Sequence, residues 1–225
     1  MTNNSRSTVF TMARPSSQAD QALIAAGRLL YPAHGCAGLS VRRVAEQAGV
    51  KPGLFHYHFE SKDAFLTAVL QGVYEDLFSE LSEAASGPAA PLVRLKAVLQ
   101  RLGRALRERG ELLVRVLGDV AQGEPAALAF VQRNAPRHLG LLTGLMAEAE
   151  RAGQIAPMPP LRRMGFVMGA VAAPLLAGRG LRALALQHPL IVDRLDEDML
   201  SDAATEQRIE MVLVALCAGK DKPCA

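Results

Sequence analysis

An all-α fold is predicted for this 225-residue chain, and three observations predict it. Leu and Ala, both strong helix formers, carry most of the apolar content, while aromatics make up only 4% and Trp is absent. Apolar residues recur at the three-to-four spacing of an amphipathic helix along nearly the whole chain. Alternating runs rich in Val, Ile, Thr and Tyr, the mark of a half-buried strand, are missing. Within this class the expected organisation is a flexible N-terminal arm over residues 1–18, a three-helix head over 19–62 and a helical body over 63–225.

The first helix is read from "ADQALIAAGRLLYPAH", where Leu23, Ala26, Leu30 and Ala33 share a face and Gly35 ends the run. In "LSVRRVAEQAGV" Ser40 is a good N-cap, and Val41, Val44, Ala45 and Ala48 follow at helical spacing. Gly49 breaks this short helix. Pro52, favoured in a first turn, opens another that reaches only about His58. Ser61 caps a long helix marked by Leu66, Leu70, Val73, Leu77 and Leu81, which stops at "ASGPAAP".

Beyond Pro91 the pattern stays helical. Leu92, Leu95, Leu99, Leu102 and Leu106 mark one helix, and Leu112, Val116 and Val120 mark the next. A third stretch runs from Pro125 to Ala152, with a kink expected at Pro136, which cannot donate a backbone hydrogen bond. "LRRMGFVMGAVAAPLL" is a further helix, apolar on most of its circumference. "GRGLRALALQHPLIVDRLDEDML" reads as loop with short helical pieces. The last helix, about 203–217, carries Ile209, Val212, Leu213 and Leu216.

Composition narrows the function classes. The first eighteen residues are polar and lack the apolar core of a signal peptide. The apolar stretch "GAVAAPLLAG" at 169–178 is too short to span a bilayer and contains Pro174. A cytoplasmic protein without a membrane partner is expected. Cys36, Cys217 and Cys224 are odd in number and show no CxxC spacing, so they suggest neither a disulfide framework nor a zinc site. Buried or incidental thiols fit better than a redox sensor.

Charge is uneven along the chain. Residues 1–62 hold seven Lys/Arg against three acids, whereas the remainder holds eighteen against nineteen. A basic head on a near-neutral body implies an anionic partner for the head.

Two helices joined by a Gly turn, the second very short, are the signature of a helix-turn-helix, whose second helix enters the DNA major groove. Lys51, Pro52, Gly53 and Leu54 then face the bases, and Gly53 lets the backbone approach closely. Arg42 and Arg43 stand in the first turn behind Ser40, at the positive end of the helix dipole, where each cation costs roughly 0.3–1 kcal/mol. Phosphates would supply the missing negative charge. Lys62, directly after the cap Ser61, repeats the logic. Solvated surface cations are the plain alternative.

His56 and His58 invite a metal reading, but positions i and i+2 lie about 200° apart on a helix and cannot chelate one ion as an i, i+4 pair does. A metal hydrolase built on His34, His56 and His58 would also lack carboxylates at ligand spacing, a nucleophile motif and a phosphate loop. No metal or other cofactor is expected. His56, Tyr57 and His58 instead offer hydrogen bonds to phosphate oxygens and ring bodies to sugar or thymine methyl, while Phe55 and Phe59 face the core.

"LSVRRVAEQAGVKPGLFHYHFESKDAFLTAVL" resembles the tetracycline-repressor (TetR-like) family of bacterial regulators over about residues 19–70. The resemblance matches Ser40 to the helix cap, and Val41 and Arg42 to the groove-facing start of the middle helix. It matches Lys51 through Leu54 to the front of the recognition helix. His56, Tyr57, His58 and Lys62 match base- and phosphate-contacting positions. Departures fall at Lys51, Leu54 and His56, where Ser, Thr and Tyr are common, and Leu54 can make only apolar base contacts.

What the resemblance implies for the body is a helical ligand-binding and dimerisation domain. Helices at about 160–176 and 203–217 would form a four-helix bundle with a second copy, through Leu175, Leu176, Ile209, Val212, Leu213 and Leu216, although those faces fit intrachain core equally well. A pocket among the middle helices would use Arg101, Asn134 and His138, with Met146, Met164 and Met168 shaping it around a small apolar effector. The expected function is a dimeric repressor that leaves a palindromic operator on double-stranded DNA when an effector binds. A DNA-binding protein without an effector is the runner-up, and a metal-dependent enzyme comes third.

Overall fold

In the computed structural model, which describes residues 15–218, ten α-helices and one π-helical turn follow in order. They are α1 (Pro15–Gly38), α2 (Val41–Gln47), α3 (Pro52–His58), α4 (Lys62–Ala85), α5 (Pro91–Glu108), α6 (Gly110–Ala121), α7 (Pro125–Arg151), α8 (Pro160–Ala183), α9 (Pro189–Leu195) and α10 (Asp202–Cys217), with the π turn at Asp196–Leu200. No strand occurs among the described residues. The all-α expectation holds.

Several boundaries differ from the sequence reading. Residues 1–14 of the expected arm lie outside the described residues, but 15–18 already belong to α1. Gly35 does interrupt α1, with φ 61, yet the helix resumes to Gly38. Tyr31 rather than Ala33 is the buried residue near that end. α7 does run through Pro136 as expected, and the proline faces solvent, so water can serve the carbonyl that loses its donor. α8 runs on through Gly178 and Gly180 to Ala183, seven residues past the expected end near 176. Cys217 is disulfide-bonded, against the expectation of unpaired thiols; Cys224 lies outside the described residues.

Two apolar cores organise the chain. One joins Leu23, Tyr31, Val44 and Phe55 of the head to Phe65 and Val69 of α4 and to Leu112, Val116 and Ala127 of α6 and α7. The other fills the body with Leu95, Leu99, Met146, Val171, Leu175 and Ile209 among its members. α4 belongs to both, because Phe65–Leu70 lie in the first and Leu81 in the second. The head therefore does not hang on a linker at residue 62. It is bolted to the body along α4 and α6.

By length and composition α8 is apolar enough to cross a membrane. Its place in the fold accounts for that character. Met164, Val167, Val171 and Leu175 are buried in the body core, and the buried Arg163 pairs with Glu150 of α7. The opposite side carries exposed Leu161 and Phe166.

Candidate nucleic-acid interface

The head's two short helices are fixed by local chemistry. The Ser40 hydroxyl accepts a 3.3 Å hydrogen bond from the Arg43 amide, which starts α2. Gly49 takes φ 67 in the turn, a conformation that L side chains rarely adopt, and Pro52 opens α3. Phe55, Phe59 and Phe65 close into an aromatic cluster with ring centroids 5.0–5.5 Å apart, and this holds α3 against α4. Ser61 caps α4 by accepting from the Ala64 amide at 3.0 Å.

With Phe55 turned inward, most of α3 faces out. Lys51, Pro52, Gly53, Leu54, His56 and Tyr57 are exposed, Tyr57 to 75%. The Tyr57 ring meets the neighbouring His58 ring edge-on, centroids 5.1 Å apart, and is otherwise turned to solvent. A Cβ at Gly53 would meet nothing within 4 Å, so no internal contact demands glycine there. His58 is half-buried with Nε2 lacking a hydrogen-bond partner, and Val41 packs partly into the head core. His34 Nδ1 contacts Arg43 at 3.2 Å, and no cluster of three or more His, Cys, Asp or Glu with metal-site geometry occurs among the described residues.

The three cations behind the turn separate into two kinds. Arg43 donates to the Gly38 carbonyl at 3.3 Å, and the Lys62 ammonium to the Ala37 carbonyl at 3.2 Å. Both reach the last turn of α1, the negative end of that helix dipole, which offsets the cost of standing at the start of their own helices. Arg42 is exposed and makes no such contact. It is the cation of this trio left over for an outside partner.

Behind the head lies a polar junction that the sequence reading missed. Asp119 of α6 is fully buried; its Oδ2 accepts from the Tyr31 hydroxyl at 2.7 Å and the Cys36 amide at 2.8 Å, and its Oδ1 lies 3.2 Å from Arg115 Nε. Arg115 in turn donates to the His34 carbonyl at 3.2 Å. Burial opposes ionisation of Asp119, but the Tyr31, Cys36 and Arg115 contacts outweigh it and hold its carboxyl below the usual range. Burial, then the carboxylate nearby, pushes the Tyr31 phenol up, and burial is the main cause of raising the Cys36 thiol to about 11. One signal was available in the sequence: Asp119 lies seven residues after Leu112 and three after Val116, on an otherwise apolar stripe.

The residues expected in an effector pocket are not gathered in one place. The Asn134 side chain donates to Gln71 and to the Phe130 carbonyl, both at 2.9 Å, and accepts from Gln71 at 3.1 Å. The Tyr74 hydroxyl binds the Asn134 carbonyl at 2.9 Å. His138 stands beside the Tyr74 ring, and burial lowers its pKa, which favours the neutral imidazole. Met146 and Met164 are buried in the body core, with Met168 packed against it. Arg101 lines a different feature, an open groove between α5 and α10.

The expected dimer residues are also placed inward. Leu175, Ile209, Val212, Leu213 and Leu216 are buried in the chain's own core, and Leu176 is half-buried against it. The helical stripe read as an interface is the intrachain face. The apolar surface these helices leave open carries Leu161 and Phe166 on α8 and Met211 and Val214 on α10.

Residues 23–69 match the family of bacterial regulatory proteins called tetR. The chain is 26% identical to the HTH-type transcriptional repressor KstR2 of Mycolicibacterium smegmatis over 99 residues, 44% of this chain and 48% of that protein. It is 27% identical to the nucleoid occlusion factor SlmA of Vibrio vulnificus over 108 residues, 48% of this chain and 55% of that protein. These matches span about half the length of the curated relatives. In fold it is similar to the transcriptional regulator FadR of Bacillus subtilis, solved in complex with stearoyl-CoA, with TM-score 0.68, 15% identity and coverage of 87% and 98% of the two chains. A TetR family transcription regulator of Marinobacter aquaeolei VT8 aligns with TM-score 0.64 and 19% identity over 91% and 98%. The chain is TetR-like, in its head by sequence and over 87–91% of its length by fold.

Proposed function

We propose that this protein is a homodimeric transcriptional regulator in the cytoplasm, a repressor that reads a palindromic operator with α3 and is released by a small, largely apolar effector. The observation that carries the reading is α3 itself: a short helix anchored by Phe55, with Gly53, Leu54, His56 and Tyr57 exposed, beside the uncommitted Arg42. Backbone-positioning cations next to a groove-sized helix are what major-groove docking requires. The likeness to KstR2, a repressor, over 99 residues supports the direction of control.

Dimerisation follows from the open side of α8 and α10. Phe166, flanked by Gly165 and Gly169, and Met211 with Val214 would pair with the same residues of a second copy. Two heads must sit about 34–36 Å apart to read successive major grooves, so an effector that prefers another spacing lowers operator affinity by linkage. FadR, crystallised with stearoyl-CoA, supports an effector with an apolar portion.

Selection of bound sequences from random duplexes by the full chain tests this. Enrichment of an inverted repeat with half-sites one helical turn apart is expected. Recovery of no common sequence would end the operator reading. A DNA-binding protein without an effector is the second reading, favoured by the likeness to SlmA and by the saturated hydrogen bonds of Asn134. An effector must raise thermal stability and lower operator affinity together; a compound that only stabilises is not one.

A further inference from the structure

The groove between α5 and α10 holds a charge imbalance that the fold does not use. Its volume is about 510 Å³, and its walls include Arg101, Arg104 and Arg107 from α5 and Asp202 and Glu206 from α10. Both carboxylates have their own partners. Asp202 pairs with Arg107; Glu206 accepts from Gln100 at 2.7 Å and stands 3.7 Å from the Lys96 ammonium. Arg101 and Arg104 have no hydrogen bond or ion pair among the described residues.

The two free guanidiniums are three residues apart, so they are neighbours on the helix surface. Like charges at that spacing repel unless something lies between them. The first turn of α10 borders the same groove, but Asp202 and the Ser201 cap already answer its dipole, so the two arginines carry the site. Two planar forks that match oxyanion geometry, with no internal acceptor, suit a doubly charged oxyanion.

We propose that this groove binds a small dianion, a phosphate ester or a dicarboxylate, between Arg101 and Arg104. The site differs from the expected pocket at Asn134 and His138, and it does not depend on the operator reading, because its test uses no DNA.

The test is calorimetric titration of the full chain with inorganic phosphate at mildly alkaline pH, where it is the dianion, and, separately, with succinate, each at matched ionic strength. One equivalent per chain is expected for at least one probe, and which one binds separates phosphate from carboxylate recognition. Arg101→Gln and Arg104→Gln should each weaken binding at least tenfold while the unliganded melting temperature stays unchanged. A double variant of the head, Arg42→Gln with Arg43→Gln, should bind as the wild type does. The proposal is overturned if neither probe binds saturably, if the groove variants bind normally, or if the head variant abolishes binding.

Discussion

The Asp119 carboxylate on α6 accepts a 2.7 Å hydrogen bond from the Tyr31 hydroxyl on α1, 88 residues away in sequence. With the Cys36 amide on the same oxygen and Arg115 on the other, this one side chain ties the end of α1 to the body. Arg43 continues the contact into α2 through the Gly38 carbonyl and His34. A continuous chain of polar contacts thus runs from α6 through the end of α1 to the start of the helix-turn-helix.

Replacing Asp119 by Ala leaves the Cys36 amide buried without that acceptor and the Tyr31 hydroxyl with only the weakly accepting Cys36 sulfur at 3.6 Å, at a cost on the order of 1–3 kcal/mol for each. A lower melting temperature should be accompanied by weaker operator binding. The folded-state pKa of Asp119 lies below its ordinary value of 3.8, so its ionisation stabilises fully above that value and the contribution fades as pH falls beneath it. Denaturation of wild type and Asp119→Asn should therefore converge as pH drops below 3.8. A gap that widens there would contradict the depressed pKa.

Gly35 has φ 61, and a Cβ at this position would collide with the Arg115 guanidinium. Gly35→Ala should cost about 1–3 kcal/mol from a backbone conformation (φ 61, ψ −167) open essentially to glycine alone, with a further loss from displacing Arg115. Thermal unfolding measures it; an unchanged midpoint would mean that the α1 elbow is not held as described.

Arg42 and Lys62 should differ in how they touch DNA. Arg42→Ala removes no internal partner, so stability should hold while preference relaxes at one position per half-site, where a bidentate guanine contact is worth roughly 1–3 kcal/mol. Lys62→Ala also removes a donor to the Ala37 carbonyl, so it should lower the melting temperature slightly. It should weaken all sequences alike and reduce the slope of log affinity against log salt by about one. Titrations against a single-base substitution series at two salt concentrations distinguish them. Uniform weakening by Arg42→Ala would make that residue a phosphate contact.

The dimer face can be told from the core by neighbouring positions on α10. Met211 is 64% exposed and Val212 is 1% exposed. Met211→Glu should give folded monomers with lost operator binding, whereas Val212→Glu buries a charge and should unfold the body. Sedimentation and circular dichroism together decide it. A folded dimer of Met211→Glu would move the interface away from α10.

The sequence by itself determined the local features of this protein. Ser40 and Ser61 cap their helices, Pro52 and Gly49 shape the turn, and Phe55 faces the core, because caps, turn residues and helical spacing act over a few residues. The recognition helix was legible for that reason. Only the tertiary structure decided what each side chain does across the chain. It turned Arg43 and Lys62 back onto α1, buried Asp119 against Tyr31, spent Asn134 on Gln71, and assigned Ile209 and Val212 to the chain's own interior. A helix with apolar residues on more than one side, such as α8 or α10, does not state which side meets its own chain; the positions of the neighbouring helices settle it.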